Sequence, residues 1–265
     1  MSKTASDPEA MDPTALLVDL YRGQERLGPG GVEESRLALE LSGILRATAQ
    51  PLQVADIGCG TGASTLLLAR LLNAQITAVD LMPPFLRELE QRAEARGLRE
   101  RITTLCGSMD ALEIEAGTLD LIWSEGALYS VGFSRAVAAL RPCLRPGGVL
   151  VASELSWTTA RRPPEIQEHW EREYPEVACT SSKLAVLEQN AFQPIATFLL
   201  PARCWLENYY RPLQAGFAAF LERHDHSEAA RDIVAETEEE IRLYETYGDV
   251  FGYVMYIARA VEPTL

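Results

Sequence analysis

Three glycines spaced one residue apart, Gly58, Gly60 and Gly62, stand between Asp56, at the end of an apolar β-branched run, and a leucine-rich stretch with helical spacing. Strand, tight turn and helix in that order aim backbone N–H groups and a helix N-terminus at a ligand. Asp80 closes the next apolar run, 20 residues past Gly60, the offset at which a carboxylate receives ribose hydroxyls in nucleotide-binding folds. Glu125 and Tyr129 follow a later apolar run, and open α/β sheets bind ligands outside the carboxyl ends of their strands. Together these are the parts of a nucleotide-type cofactor site with an acid and a phenol beside it. A glycine turn alone can simply join strand to helix, so the weight rests on the set.

The surrounding pattern can position such a site. Strands are expected over 52–56, 75–80, 101–106, 118–124 and 149–154, with helices between them, which predicts a parallel sheet covered on both faces. Before the first strand come a helix from 13 to about 26, a Gly28-Pro29-Gly30-Gly31 break, and a second helix carrying Leu37, Leu41, Ile44 and Leu45. After residue 155 the pattern changes to a short helix over 164–173, a helix over 183–191, a strand over 194–200, two further helices and a last strand over 250–260. Residues 1–12 are polar and small and read as a disordered tail.

Composition narrows the function. The 265 residues include 38 acidic and 24 basic side chains, a net charge of −14, which repels nucleic acid and anionic membranes. Five widely spaced cysteines without a C-x-x-C pair read as reduced thiols, and no leader or membrane-length apolar run stands out. The expectation is a cytoplasmic protein, monomer or homodimer, with a small-molecule substrate and neither nucleic acid nor membrane as partner.

Asp56-Ile57-Gly58-Cys59-Gly60-Thr61-Gly62, Asp80, Gly107-Ser108-Met109-Asp110 and Leu144-Arg145-Pro146-Gly147-Gly148 together resemble the class I S-adenosylmethionine-dependent methyltransferases over about residues 50–155. Gly28-Pro29-Gly30, Ser124-Glu125-Gly126-Ala127-Leu128-Tyr129, Ser156-Trp157 and Gly252-Tyr253 are similar to a group of bacterial small-molecule-type methyltransferases within that family. The resemblance implies a doubly wound, Rossmann-like α/β sheet of seven strands in the order 3-2-1-4-5-7-6, the last antiparallel. N-terminal helices precede this sheet, and a helical insertion precedes its last strand. It implies one methyltransferase domain over 13–265: a helical cap (13–49), a cofactor-binding core (50–155) and a substrate-side part (156–265).

The cofactor implied is S-adenosylmethionine, leaving as S-adenosylhomocysteine. By the same resemblance Gly58, Gly60 and Gly62 let the backbone approach its amino-acid part, which Asp56 orients. Asp80 accepts from the ribose, Leu81 and Met82 flank the adenine, and Asp110, in the segment with Ser108 and Met109, binds the adenine amino group. Glu125 lies where the transferred methyl is expected. Transfer by in-line displacement draws its rate from proximity and alignment and needs a base only if the nucleophile must lose a proton.

Glu125 and Tyr129 are the candidate catalytic residues, and Trp157 follows strand five on the same edge. Tyr21 lies on an apolar helix face and reads equally as core. Trp170, Tyr174, Trp205 and Tyr209 read first as packing that anchors the insertion, and His169 as a solvated histidine. All remain candidates for contact with the acceptor. Cys59 and Cys106 read as small buried thiols. His224-Asp225-His226 lacks the ligand spacing of a metal site, and the paired carboxylates of metal-dependent catechol-type enzymes are missing, so no metal is expected. Alternatives are an RNA-base methyltransferase, a nicotinamide-dependent oxidoreductase on the same glycine turn, and a cofactor-binding module without catalysis.

Overall fold

A computed structural model describes residues 12–45 and 50–262. All but the last residue of the expected tail lies outside these; that residue, Asp12, accepts from the Thr14 N–H at 3.0 Å and caps α1 (Pro13–Leu20), with Pro13 at the first helical position. The first helix is shorter than its apolar spacing suggested. Beyond Leu20 the chain leaves the helix through Gly23, whose φ of +75° is left-handed. Residues 21–31 then form a connection of turns and bends to α2 (Val32–Ser42).

The sheet comprises β1 (Leu52–Ile57), β2 (Ala74–Asp80), β3 (Ile102–Cys106), β4 (Leu119–Glu125), β5 (Leu144–Trp157), β6 (Ala178–Cys179), β7 (Phe192–Leu199) and β8 (Phe251–Ala260). Its order is β3-β2-β1-β4-β5-β8-β7, with β1 to β5 parallel and β8 antiparallel to both β5 and β7. The expected order differs only in numbering, because β6, two residues pairing Ser156 and Trp157, is too short to leave a periodic signal. A second difference is the start of β5. Pro146-Gly147-Gly148 was expected to precede the strand, but Leu144 already pairs with Leu119, and a register shift between Leu119 and Leu121 takes the segment up.

Successive strand residues enter two separate cores. Val54, Leu121, Val149 and Val151 face one, with Leu68 of α3 (Ala63–Leu71) and Leu86 and Leu89 of α4 (Pro83–Glu94). Ala55, Ile122, Leu150 and Ala152 face the other, with Phe133, Val137 and Leu140 of α5 (Phe133–Leu140) and Leu187 of α7 (Thr180–Gln189). This alternation, with helices on both faces, is why the central strands are apolar throughout. One buried pair interrupts it: Glu154 of β5 and Lys183 of α7 lie 3.6 Å apart, and Lys183 donates to the Tyr174 hydroxyl at 2.9 Å.

The insertion between β7 and β8 is helical. It consists of α8 (Ala202–Trp205), a wider π turn over Leu206–Tyr210, α9 (Arg211–Arg223) and α10 (Glu228–Tyr247). The helix of residues 164–173, α6 (Pro164–Glu173), faces the same region through Trp170, whose ring meets Phe251 edge-on at 5.3 Å.

Candidate active site

Two adjoining cavities lie at the carboxyl ends of β1, β2 and β4. The smaller, about 370 Å³, is built on the glycine turn; the larger, about 790 Å³, lies between that edge and the insertion. Tyr21, Leu27, Gly28, Pro29, Gly126 and Tyr129 border both.

The glycine turn is shaped as much by its neighbours as by the space it borders. Gly58 has φ +71°, and a Cβ there would stand 2.2 Å from the Ala127 Cβ in the loop after β4. Gly62, at φ +88°, begins α3; its Cβ would lie 2.1 Å from Leu89 Cδ1. Gly58 and Gly60 border the smaller cavity and Gly62 does not, so Gly62 serves the seating of α3 on α4. Asp80 organises two turns at once: one oxygen accepts the Gly60 N–H at 2.8 Å and the other the Met82 N–H at 2.9 Å. Burial pushes its carboxyl up, against the pull of these N–H donors. Asp56, 1% exposed, takes the Thr65 hydroxyl at 2.5 Å. Burial raises its carboxyl to about 7, the Thr65 bond opposing and the charges of Glu125 and Asp80 adding to the rise.

Leu81, Met82, Ser108 and Met109 border the smaller cavity, joined by Phe85 at the start of α4. Asp110 does not. Its oxygens are taken by the Ser108 hydroxyl and the Arg135 guanidinium, the second at 2.5 Å, which draws it to the outside of the loop. Of the thiols, Cys59 is buried beside the cavity, whereas Cys106 is exposed, because β3 is the edge strand.

Glu125 anchors the wall between the cavities. Oε2 accepts from Arg26 at 2.8 Å; Oε1 accepts from Ser35, Ser64 and the Trp123 indole, each at 2.9 Å. Burial alone would raise this carboxyl, but the Arg26 guanidinium and the hydroxyl donors outweigh it and hold it below the usual carboxylate range. An ionised, four-fold satisfied carboxylate is a poor proton acceptor; its position suits it to tie α2, α3, β4 and the 21–31 segment into one wall. Neither Arg26 nor Ser35 carried a sequence signal, because both partners are remote in the chain. The same holds for Arg92 on α4, which donates to the Gln24 carbonyl at 2.7 Å and to the Thr61 hydroxyl at 3.0 Å, pinning the segment to the glycine turn.

The larger cavity collects aromatic rings. Tyr21 bonds hydroxyl to hydroxyl with Tyr209 at 2.9 Å; Tyr129 meets Tyr174 edge-on at 5.9 Å; Trp205 stacks on Tyr244 at 4.4 Å. Tyr209 sits in the π turn, a wider helical register of a kind frequent at functional sites. Tyr129, Trp170, Trp205 and His169 border this cavity. Trp157 is the exception among the candidates: it is 4% exposed, packs edge-on against Phe251 under the Arg162 guanidinium, and borders neither cavity. The end of β5 points it into the core. His224 is held by Asp19 at 2.9 Å, and among the described residues no group of three or more His, Cys, Asp or Glu side chains is placed to hold a metal. No helix among them is long and apolar enough to cross a membrane.

Sheet order, glycine turn and paired cavities define an open Rossmann-like cofactor fold of the methyltransferase type. Residues 54–148 match the methyltransferase domain family, and the likeness supports a class I S-adenosylmethionine-dependent methyltransferase. It is 33% identical over 133 residues to the malonyl-[acyl-carrier protein] O-methyltransferase of Laribacter hongkongensis, covering 48% of this chain and 44% of that one. It is 30% identical over 166 residues to the erythromycin 3''-O-methyltransferase of Saccharopolyspora erythraea, covering 60% and 52%. The matched region thus spans about half the length of these curated relatives or less. Among solved structures, a methyltransferase from Geobacter sulfurreducens in complex with S-adenosyl-L-homocysteine superposes with a TM-score of 0.78 at 18% identity, over 92% of this chain and 97% of that one. The [4+2]-cyclase SpnF superposes at 0.75 and 21% identity, over 94% and 92%. At these identities the structural likeness concerns the fold.

Proposed function

We propose that the protein is an S-adenosylmethionine-dependent methyltransferase that holds its cofactor in the smaller cavity and a small-molecule acceptor in the larger one. The observation that carries the reading is the shared wall: Gly126 and Tyr129, at the end of β4, border both cavities. The cofactor fits the donor set. Asp80 keeps lone pairs for ribose hydroxyls, Asp56 offers a carboxyl to an ammonium group, and Leu81, Met82, Phe85 and Met109 form an apolar slot for a base. When bound, S-adenosylmethionine supplies a methyl carbon activated by its sulfonium, a transfer that requires no metal. The chain's own contribution is to align: Glu125 and Arg26 fix the wall, Tyr129 bounds the acceptor, and the 21–31 segment covers both reactants. Proximity of this kind accounts for several kcal/mol of a barrier, roughly 7–11 at best.

Calorimetry with S-adenosylhomocysteine and with NADH tests the cofactor. Binding of NADH without binding of S-adenosylhomocysteine would transfer the site to a nicotinamide enzyme. A second reading, binding without methyl transfer, is kept because the fold is shared with a cyclase. It predicts tight cofactor binding and no methylated product across a panel of amines, phenols, alcohols and carboxylates.

A further inference from the structure

The larger cavity is bordered by a carboxyl group with no cation paired to it among the described residues, and we propose that its occupant is an apolar molecule bearing a protonated amine, held by Glu240 as counter-charge among aromatic rings. The identity of that occupant as methyl acceptor rests on the function proposed above; its charge does not.

The argument starts from the charges that border the cavity. Arg172 is answered by Glu173 at 2.8 Å, and Glu239 by Arg242 at 2.7 Å. Burial pushes the His169 imidazole down, which favours its neutral form. Glu236, exposed at the rim, adds a negative charge. Glu240 on α10 is different from these. Its carboxylate accepts one hydrogen bond, from the Tyr210 hydroxyl at 2.7 Å, and no cation among the described residues is paired with it. Its charge reaches the phenols of Tyr21, Tyr129, Tyr209 and Tyr253, which border the cavity, so it looks into this space.

Burial pushes the half-buried, half-satisfied Glu240 carboxyl up, and a ligand cation beside it favours its charged form, whereas a ligand carboxylate or phosphate adds like charge. The rest of the lining points the same way. Seven aromatic side chains border the cavity, three of them Tyr129, Trp170 and Trp205; their faces attract cations and their area takes up an apolar body. At about 790 Å³ the space suits a drug-sized molecule.

A matched series tests the proposal: 4-phenylbutylamine, 4-phenylbutanol and 4-phenylbutyrate share one apolar body with cationic, neutral and anionic heads. Each is titrated at neutral pH into the full chain saturated with S-adenosylhomocysteine. The amine is expected to bind at least about tenfold more tightly than the alcohol, and the acid more weakly than either. Glu240→Gln, which keeps the Tyr210 bond, should bring amine and alcohol within about threefold of each other while leaving S-adenosylhomocysteine affinity unchanged. Equal affinity for the three heads, preference for the acid, no binding of any of them at millimolar concentration, or an undiminished amine preference in Glu240→Gln would each overturn the inference. The wild-type series stands without any variant. Cofactor binding without amine preference removes this inference and leaves the proposed function; amine preference without cofactor binding does the reverse.

Discussion

Replacing Arg26 by Met would leave Glu125 ionisable and buried, with its one cation gone. The two side chains are 12% and 7% exposed and meet at 2.8 Å, so solvent screens the pair little. Breaking a buried pair by removing one partner typically costs about 3–5 kcal/mol, because the remaining charge is stranded. Here Ser35, Ser64 and Trp123 still donate to Glu125, so the cost falls around the lower end of that range, about 2–4 kcal/mol. In a domain of this size that lowers Tm by roughly 5–12 °C. Glu125→Gln should cost a similar amount by stranding the guanidinium. The double variant should cost less than the sum, with a coupling of about 1.5–3 kcal/mol. Urea unfolding of the four proteins measures the cycle. If Arg26→Met and Glu125→Gln add within about 0.5 kcal/mol, the pair is not the clasp described here. Because Arg26 borders the smaller cavity, Arg26→Met should also weaken S-adenosylhomocysteine binding, an independent readout.

Three further outcomes are expected. Gly62→Ala places a Cβ 2.1 Å from Leu89 Cδ1 at a left-handed φ and should destabilise by more than about 2 kcal/mol; adding Leu89→Ala relieves the clash but not the backbone, so urea unfolding should show partial recovery. Asp56 has a folded-state carboxyl raised to about 7 against an ordinary value of 3.8, so the native state holds a proton there that the unfolded chain has released. Its contribution is therefore present below about pH 4 and lost as pH rises through 7, on the order of 3–5 kcal/mol in the cofactor-free protein. Stability of Asp56→Asn relative to wild type should thus rise between about pH 4 and 7 and level off above; a flat difference would show that the group is ionised throughout. Lys183→Met strands Glu154, which is 0% exposed in mid-sheet, and should cost about 3–5 kcal/mol. Adding Glu154→Gln should return most of that, and a double variant no better than Lys183→Met would show that the charge was not the cause.

Local pattern determined much of this protein. The glycine turn, Asp80 at its offset and the alternation of apolar runs were legible because strand, turn and helix are each specified by neighbours within about ten residues. Sheet order followed from the same runs together with the resemblance they support, and Gly58, Gly60, Leu81, Met82, Ser108 and Met109 border one cavity. Tertiary packing decided the rest. Asp110 is paired with Arg135, Trp157 is swallowed by the core, and Gly62 lies close against Leu89. Arg26 meets Glu125 across 99 residues, and Glu240 faces Tyr21 and Tyr129 across more than a hundred. No spacing rule reaches so far: such encounters are set by which helix faces pack against which sheet edge. The glycine turn is therefore written in a few consecutive residues, whereas the wall beside it and the lone carboxyl of the neighbouring cavity exist only once remote segments have packed together.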